Sequence, residues 1–238
     1  MILLCDYPVF AGFLFATKKN LGEFCMDTVT ITGYLMLAAL AICIVGIISR
    51  LREILTRPFK KDLSRERASI RKGVLYAFTL GMAPWEKEST RIHWIAYLRG
   101  IFFHVGIFVA FAVLMLSPWI EKLPPALNWF LGILTALGAI FGFSGILMRW
   151  MGKNERVLSV PDDYFSVFLA ALFTTFACAV LISPALLPVF YLVSAILLVY
   201  IPISKIRHCV YFFYSKFFFG ANFGRRGVIG HSHGEQVK

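Results

Sequence analysis

Residues 97–117 read YLRGIFFHVGIFVAFAVLMLS, a run in which Arg99 and His104 are the only basic side chains and no acid occurs. As a helix rising about 1.5 Å per residue, such a run matches a hydrocarbon core about 30 Å thick. Backbone N–H and C=O groups in lipid need partners within the chain, so helix is the predicted state. Comparable apolar runs cover residues 29–48, 127–148 and 164–182. A fifth begins near Leu186 and stays apolar to Tyr214, interrupted at Lys205 and Arg207. The predicted fold class is therefore an all-α integral membrane protein, a bundle of five transmembrane helices.

Composition agrees with the pattern. Of 238 residues, 59% are hydrophobic and 16% charged, and the mean hydropathy is +0.75. Soluble domains are about 45–50% apolar and about 25% charged, and a chain of this size has no interior large enough to hide the excess from water. The same figures exclude disorder and nucleic-acid binding as the main function. Cys5, Cys25, Cys43, Cys178 and Cys209 form no C-x-x-C and no C-x-x-C-H. An intrinsic iron–sulfur cluster of the usual kind and covalent c-type haem are thereby excluded. Free thiols are the default for such scattered cysteines.

The net charge of +11 reads as topology. Eleven Lys and Arg fall between Arg50 and Arg91; Arg149, Lys153 and Arg156 follow the third run; six more follow from Lys205 onward. The opposite side carries Lys18, Lys19 and Lys122. Basic loops face the cytoplasm, which places the N-terminus outside and the C-terminus in the cytoplasm of a multi-pass inner-membrane protein. Residues 1–27 hold a short apolar stretch with Asp6 and Pro8, read as an interfacial segment on the outer face. No basic region precedes it, which argues against a cleaved signal. The domain proper is 28–220, with a cytoplasmic loop at 50–92 and a tail at 221–238. The apolar middle of that loop, residues 73–85, is expected on the membrane surface. Its charged part is either a solvated positive-inside loop or a dock for a cytoplasmic partner.

Five histidines occur, at 93, 104, 208, 231 and 233. His104 and His208 fall inside predicted spans, where an ionisable side chain is by default a functional candidate. His104 lies about 11 Å inward from the start of its run. If the fifth span continues to about Tyr214–Lys216, His208 lies about 9–12 Å from the same face. Two neutral imidazoles at one depth are what a bis-histidine haem iron requires. A zinc site wants more ligands than two histidines.

Residues 103–108, FHVGIF, resemble the F-H-x-G-I motif of the respiratory nitrate reductase gamma subunit family, and residues 200–208, YIPISKIRH, are similar to that family's P-x-S-[RK]-x-x-H. The order of five spans, the basic loops and the acidic start of the fourth span at Pro161, Asp162 and Asp163 agree, so the resemblance covers roughly residues 28–220. It implies a cytochrome b that passes electrons between membrane quinone, menaquinone or another, and a cytoplasmic iron–sulfur subunit, in some relatives of heterodisulfide-reductase type. Members of that family carry two haems. The second uses one histidine ten residues after the first motif's and another eighteen before the last, where this chain has Leu114 and Phe190. The resemblance thus implies a single haem b, its iron held by His104 and His208.

Other residues are weighed against plainer roles. Lys205, Arg99 and Arg207 either snorkel to the membrane edge or pair with haem propionates; Lys205 matches the family's basic position. His93, Trp85 and Lys87 are candidates for a quinone headgroup near the inner interface. Gly132, Gly138, Gly142 and Gly145 read as close helix packing, and Asp162 and Asp163 as caps of the fourth span. No catalytic dyad, phosphate loop or redox cysteine motif is present, so substrate chemistry is expected on a partner. The rival reading is a haem-free membrane anchor that tethers a cytoplasmic enzyme.

Overall fold

The computed structural model describes residues 18–57, 63–86 and 88–229, with the side chains of 27–57, 63–86 and 90–229. Residues 1–17, Lys87, His231 and His233, which figure in the sequence reading, lie outside the described residues. Those described are helical and contain no strand. The helices are α1 (Lys18–Leu55), α2 (Ile70–Phe78), α3 (Glu88–Ile92), α4 (Trp94–Leu116), α5 (Pro125–Met151), α6 (Lys153–Leu158), α7 (Pro161–Ile182), α8 (Leu187–Tyr200) and α9 (His208–Arg225). Proline opens α5 and α7, where its missing N–H would have had no helical partner.

Four stretches, Asp27–Leu55, Trp94–Lys122, Pro125–Met151 and Pro161–Ile182, are long and apolar enough to cross a membrane. The fifth apolar run is not one helix. Pro202 cannot donate to the Leu198 carbonyl, and its ring crowds that oxygen. α8 accordingly ends at Tyr200, and the N–H groups of Ile203 and Ser204 both turn back to the Tyr200 carbonyl, at 3.2 and 3.1 Å. A single turn at Lys205–Arg207 leads into α9. A fifth stretch meets the same length and apolarity only when Pro184–Tyr200 and Lys205–Arg225, a bent pair, are counted together. The boundary expected at residue 220 falls inside α9.

The chain divides into two compact units: Met1–Val45 with Arg99–Lys205, and Gly46–Leu98 with Ile206–Lys238. The first is built on α5, α7 and α8. Its centre is a run of aromatic rings: Phe111 lies 4.9 Å from Phe173, Phe173 stacks on Phe190 at 5.6 Å, and Phe190 on Tyr191 at 6.5 Å. The Tyr191 hydroxyl and the buried Ser117 hydroxyl share a hydrogen bond of 2.9 Å. Thr135 and Thr174, fully buried, donate to their own helices' carbonyls at Leu131 and Ala171, which removes the cost of an unsatisfied hydroxyl in an apolar interior.

Small residues set the helix spacing in this unit. A Cβ on Gly138 would stand 2.6 Å from the Gly106 Cα, so α4 and α5 meet backbone to backbone. One on Gly142 would stand 2.6 Å from the Phe103 ring and 2.8 Å from the Ala171 Cβ. Where burying apolar surface gives no advantage over lipid, such close van der Waals approach holds helices together.

The second unit is a pairing of α2 with α9. A Cβ on Gly220 would lie 2.6 Å from the Val74 Cα and 2.8 Å from the Gly73 carbonyl oxygen; one on Gly224 would lie 2.6 Å from the Gly73 Cα. Phe78 stacks on Phe213 and meets Phe212 edge-on. The chain before α2 closes over the end of α9: Arg67 and Ala68 donate their N–H groups to the Arg225 carbonyl at 2.8 and 3.1 Å, and the Arg225 guanidinium donates to the Ser64 carbonyl at 3.1 Å.

Candidate functional site

His104 stands in mid-α4, on the exposed side of the first unit. Its Nδ1 lies 2.7 Å from the Gly100 carbonyl one turn earlier. A carbonyl oxygen only accepts, so in the neutral ring Nδ1 carries the proton and Nε2 carries the lone pair. That is the tautomer a metal-ligating histidine adopts, with the non-ligating nitrogen tied to a backbone oxygen. His208 is the first residue of α9 and is exposed, in the second unit. The depth expected for it presumed an unbroken fifth span; the break at Pro202 removes that premise.

Five residues before His104, the same helix carries Arg99, whose guanidinium rests on Gly145 of α5. Arg99 is half-buried, and its Nε is buried with no hydrogen-bond partner among the described residues. Arg149 follows Gly145 by one turn and so shares that face of α5. Two cations thus stand at one end of the α4–α5 contact.

Lys205 is engaged by carboxylates. Its Nζ donates to Asp163 at 2.7 Å, and its backbone N–H donates to Asp162 at 2.9 Å. Arg149 reaches the other Asp163 oxygen at 3.5 Å. Asp163 also accepts the Val160 N–H at 2.9 Å, while its own N–H donates to the Val160 carbonyl, a reciprocal cap of α7. Asp162 accepts from Ser166 at 3.2 Å and from the Tyr200 hydroxyl. Both acids therefore do more than cap: they tie the start of α7 to the chain just past the break in α8. The missed signal was an acid pair opening one apolar run thirteen residues after Arg149 closes the previous one. Asp163→Asn is expected to cost about 1–2 kcal/mol, since hydrogen bonds to charged groups are the stronger ones. The measurement is Tm in detergent; an unchanged Tm would show the pairs to be idle.

Leu114 and Phe190 are both buried in the aromatic core, Phe190 completely. Neither offers a ligating atom, and the stacked rings occupy the interior around Phe190. Arg207 is half-buried in the second unit, with its guanidinium carbon 5.9 Å from the centre of the Tyr211 ring.

His93 and Trp85 are exposed in the second unit. His93 joins α3 to α4, and its carbonyl accepts the Tyr97 N–H at 3.1 Å. Beside Trp85, Tyr76 donates its hydroxyl to Glu86 at 2.7 Å. The accepting carboxylate, with partial burial, holds the phenol above its ordinary pKa.

Among the described residues no group of three or more His, Cys, Asp or Glu side chains is placed to hold a metal ion. A haem iron asks less of the protein, since the porphyrin supplies four nitrogens and the chain two axial ligands. His104, by its tautomer, and Arg99, by the unpartnered Nε of its guanidinium, fit such a group. Lys205, held by Asp163, fits it less well. No protein-family model, no curated protein and no solved structure matches the chain.

Proposed function

We propose that this chain is the membrane cytochrome b subunit of a quinone-linked respiratory oxidoreductase complex, with its N-terminus outside and its C-terminus in the cytoplasm. It relays electrons between membrane quinone and a cytoplasmic iron–sulfur partner, of heterodisulfide-reductase type or similar, through one haem b. The observation that carries this reading is His104: an imidazole in the middle of an apolar helix, its Nδ1–H held by the Gly100 carbonyl so that Nε2 is the donor. His208, three residues beyond the Lys205–Asp162 tie, is the second ligand, as the motif resemblance implies. Bound haem b supplies one-electron redox chemistry between a two-electron quinone and a one-electron partner. The chain's own residues hold the group in place, with Arg99 as the cation for a propionate. The packed core at Leu114 and Phe190 supports one haem rather than two.

The haem-free anchor is the second reading, and the occupied state of Lys205 favours it. One experiment separates the two. The purified chain is expected to show a reducible b-type spectrum and about one haem per chain by pyridine haemochrome assay. Two haems would overturn the single-site reading, and a colourless, folded protein would establish the anchor.

A further inference from the structure

The net charge is divided unequally. The second unit's sequence carries sixteen Lys and Arg against six Asp and Glu, a net +10; the first carries eight against seven, a net +1. The unit that holds nearly all the charge also exposes large apolar side chains. Leu75, Trp85 and Phe213 are each 65% exposed and Phe217 56%. Phe213 and Phe217 are one turn apart on α9, and Phe78 of α2 stacks on Phe213, so both helices share one aromatic face. In that face lies a groove of about 360 Å³ lined by Ile70, Val74, Leu75, Phe78 and Phe217, with Arg71 at its rim.

Pairing decides where α9 can lie. α2 runs beside it from Phe212 to Gly224, and α2 carries Arg71 and Lys72, both exposed. If α9 crossed the hydrocarbon core, Lys216 at its middle would sit at mid-depth, at about 2.5–3.5 kcal/mol, and α2 would bring Arg71 and Lys72 beside its C-terminal end. Nor is α9 needed for a crossing. The 17 residues of Pro184–Tyr200 extend about 25 Å, at the short end of what spans a bilayer.

We propose that α2 and α9 form one interfacial platform that lies in the headgroup layer, with its aromatic face on the acyl chains, its groove taking an acyl chain, and Arg71 and Lys72 on the phosphate of an anionic phospholipid. Apolar anchoring combined with a basic surface is the pairing that holds a protein to an anionic membrane. This inference does not rest on the haem reading, since it uses neither His104 nor His208.

Depth measurement on the full-length chain in phosphatidylglycerol-rich vesicles tests the placement. Single nitroxides are attached at cysteines introduced for Tyr211, Phe213, Phe217 and Asn222, in a background without the native cysteines. Depths that oscillate with the helical turn about one shallow level are expected. A steady change of about 1.5 Å per residue along α9 would overturn the platform. The lipid is tested with the native cysteines in place, by comparing association of spin-labelled phosphatidylglycerol and phosphatidylcholine. The parent chain is expected to prefer phosphatidylglycerol, and Arg71→Gln with Lys72→Gln to reduce that preference by about fivefold per charge removed. Equal association of the two lipids, or an unchanged preference in the double variant, would overturn the lipid assignment and leave the basic face to an acidic protein partner.

Discussion

Gly73→Val is expected to separate α2 from α9 and to leave the first unit folded. No side-chain atom can be placed at Gly73: a Cβ there meets the Gly220 carbonyl oxygen and the Gly224 Cα, both of them backbone. Neither can swing aside as a flexible side chain would, so the helices must move apart. Overpacking of this kind costs about 1–3 kcal/mol, and the loss here includes the Phe78 stacking on Phe212 and Phe213. Hydrogen exchange should rise through residues 70–78 and 212–224 and stay unchanged in α5 and α7. Gly132→Ala is the control, because nothing lies within 4 Å of the added methyl. In a helix interior that change should gain about 0.5–1 kcal/mol. If Gly73→Val left exchange in α2 at its parent level, the backbone contact would not be what joins the pair.

His104→Ala is expected to abolish the b-type spectrum, taking haem from about one per chain to none, and His208→Ala to do the same. His93→Ala should retain the full haem content. A structural role for His104 would also lower haem content through misfolding, so rescue is the deciding measurement. His104→Gly opens space where the imidazole was, and added imidazole should restore a low-spin spectrum if Nε2 is the ligand. Its Nδ1–H would bond the Gly100 carbonyl only in part, so the rescued haem should be held more weakly than in the parent. A normal spectrum in His104→Ala itself would show that the iron lies elsewhere.

Hydropathy was sufficient to find the long helices because lipid leaves the backbone no other choice. It was insufficient at the fifth run, where side chains stay apolar through residues 201–203 while the backbone breaks. The signal was Pro202, whose effect is on hydrogen bonding and not on polarity. The pairing of α2 with α9 was less legible still. Gly220 and Gly224 have the four-residue spacing of close helix contact, but nothing local indicates that their partner is Gly73. His104 was legible as an ionisable group among apolar ones. Its bond to Gly100 follows from helical geometry, since a carbonyl four residues back lies within reach of the side chain. Lys205 was read for its charge and its place in the motif. Its engagement by Asp162 and Asp163 depends on where α7 begins in space, which no periodicity encodes.

The contact between Gly73 and Gly220 also imposes an order on biosynthesis. The two glycines are 147 positions apart, and at about 5–20 residues per second α2 waits roughly 7–30 s for its partner to be made. Throughout that interval its bare glycine face and its aromatic side have no α9 to cover them. Chains halted before residue 220 never leave that state. The second unit therefore closes only after α9 has been made, and its closure distinguishes a chain extended past residue 224 from one halted before it.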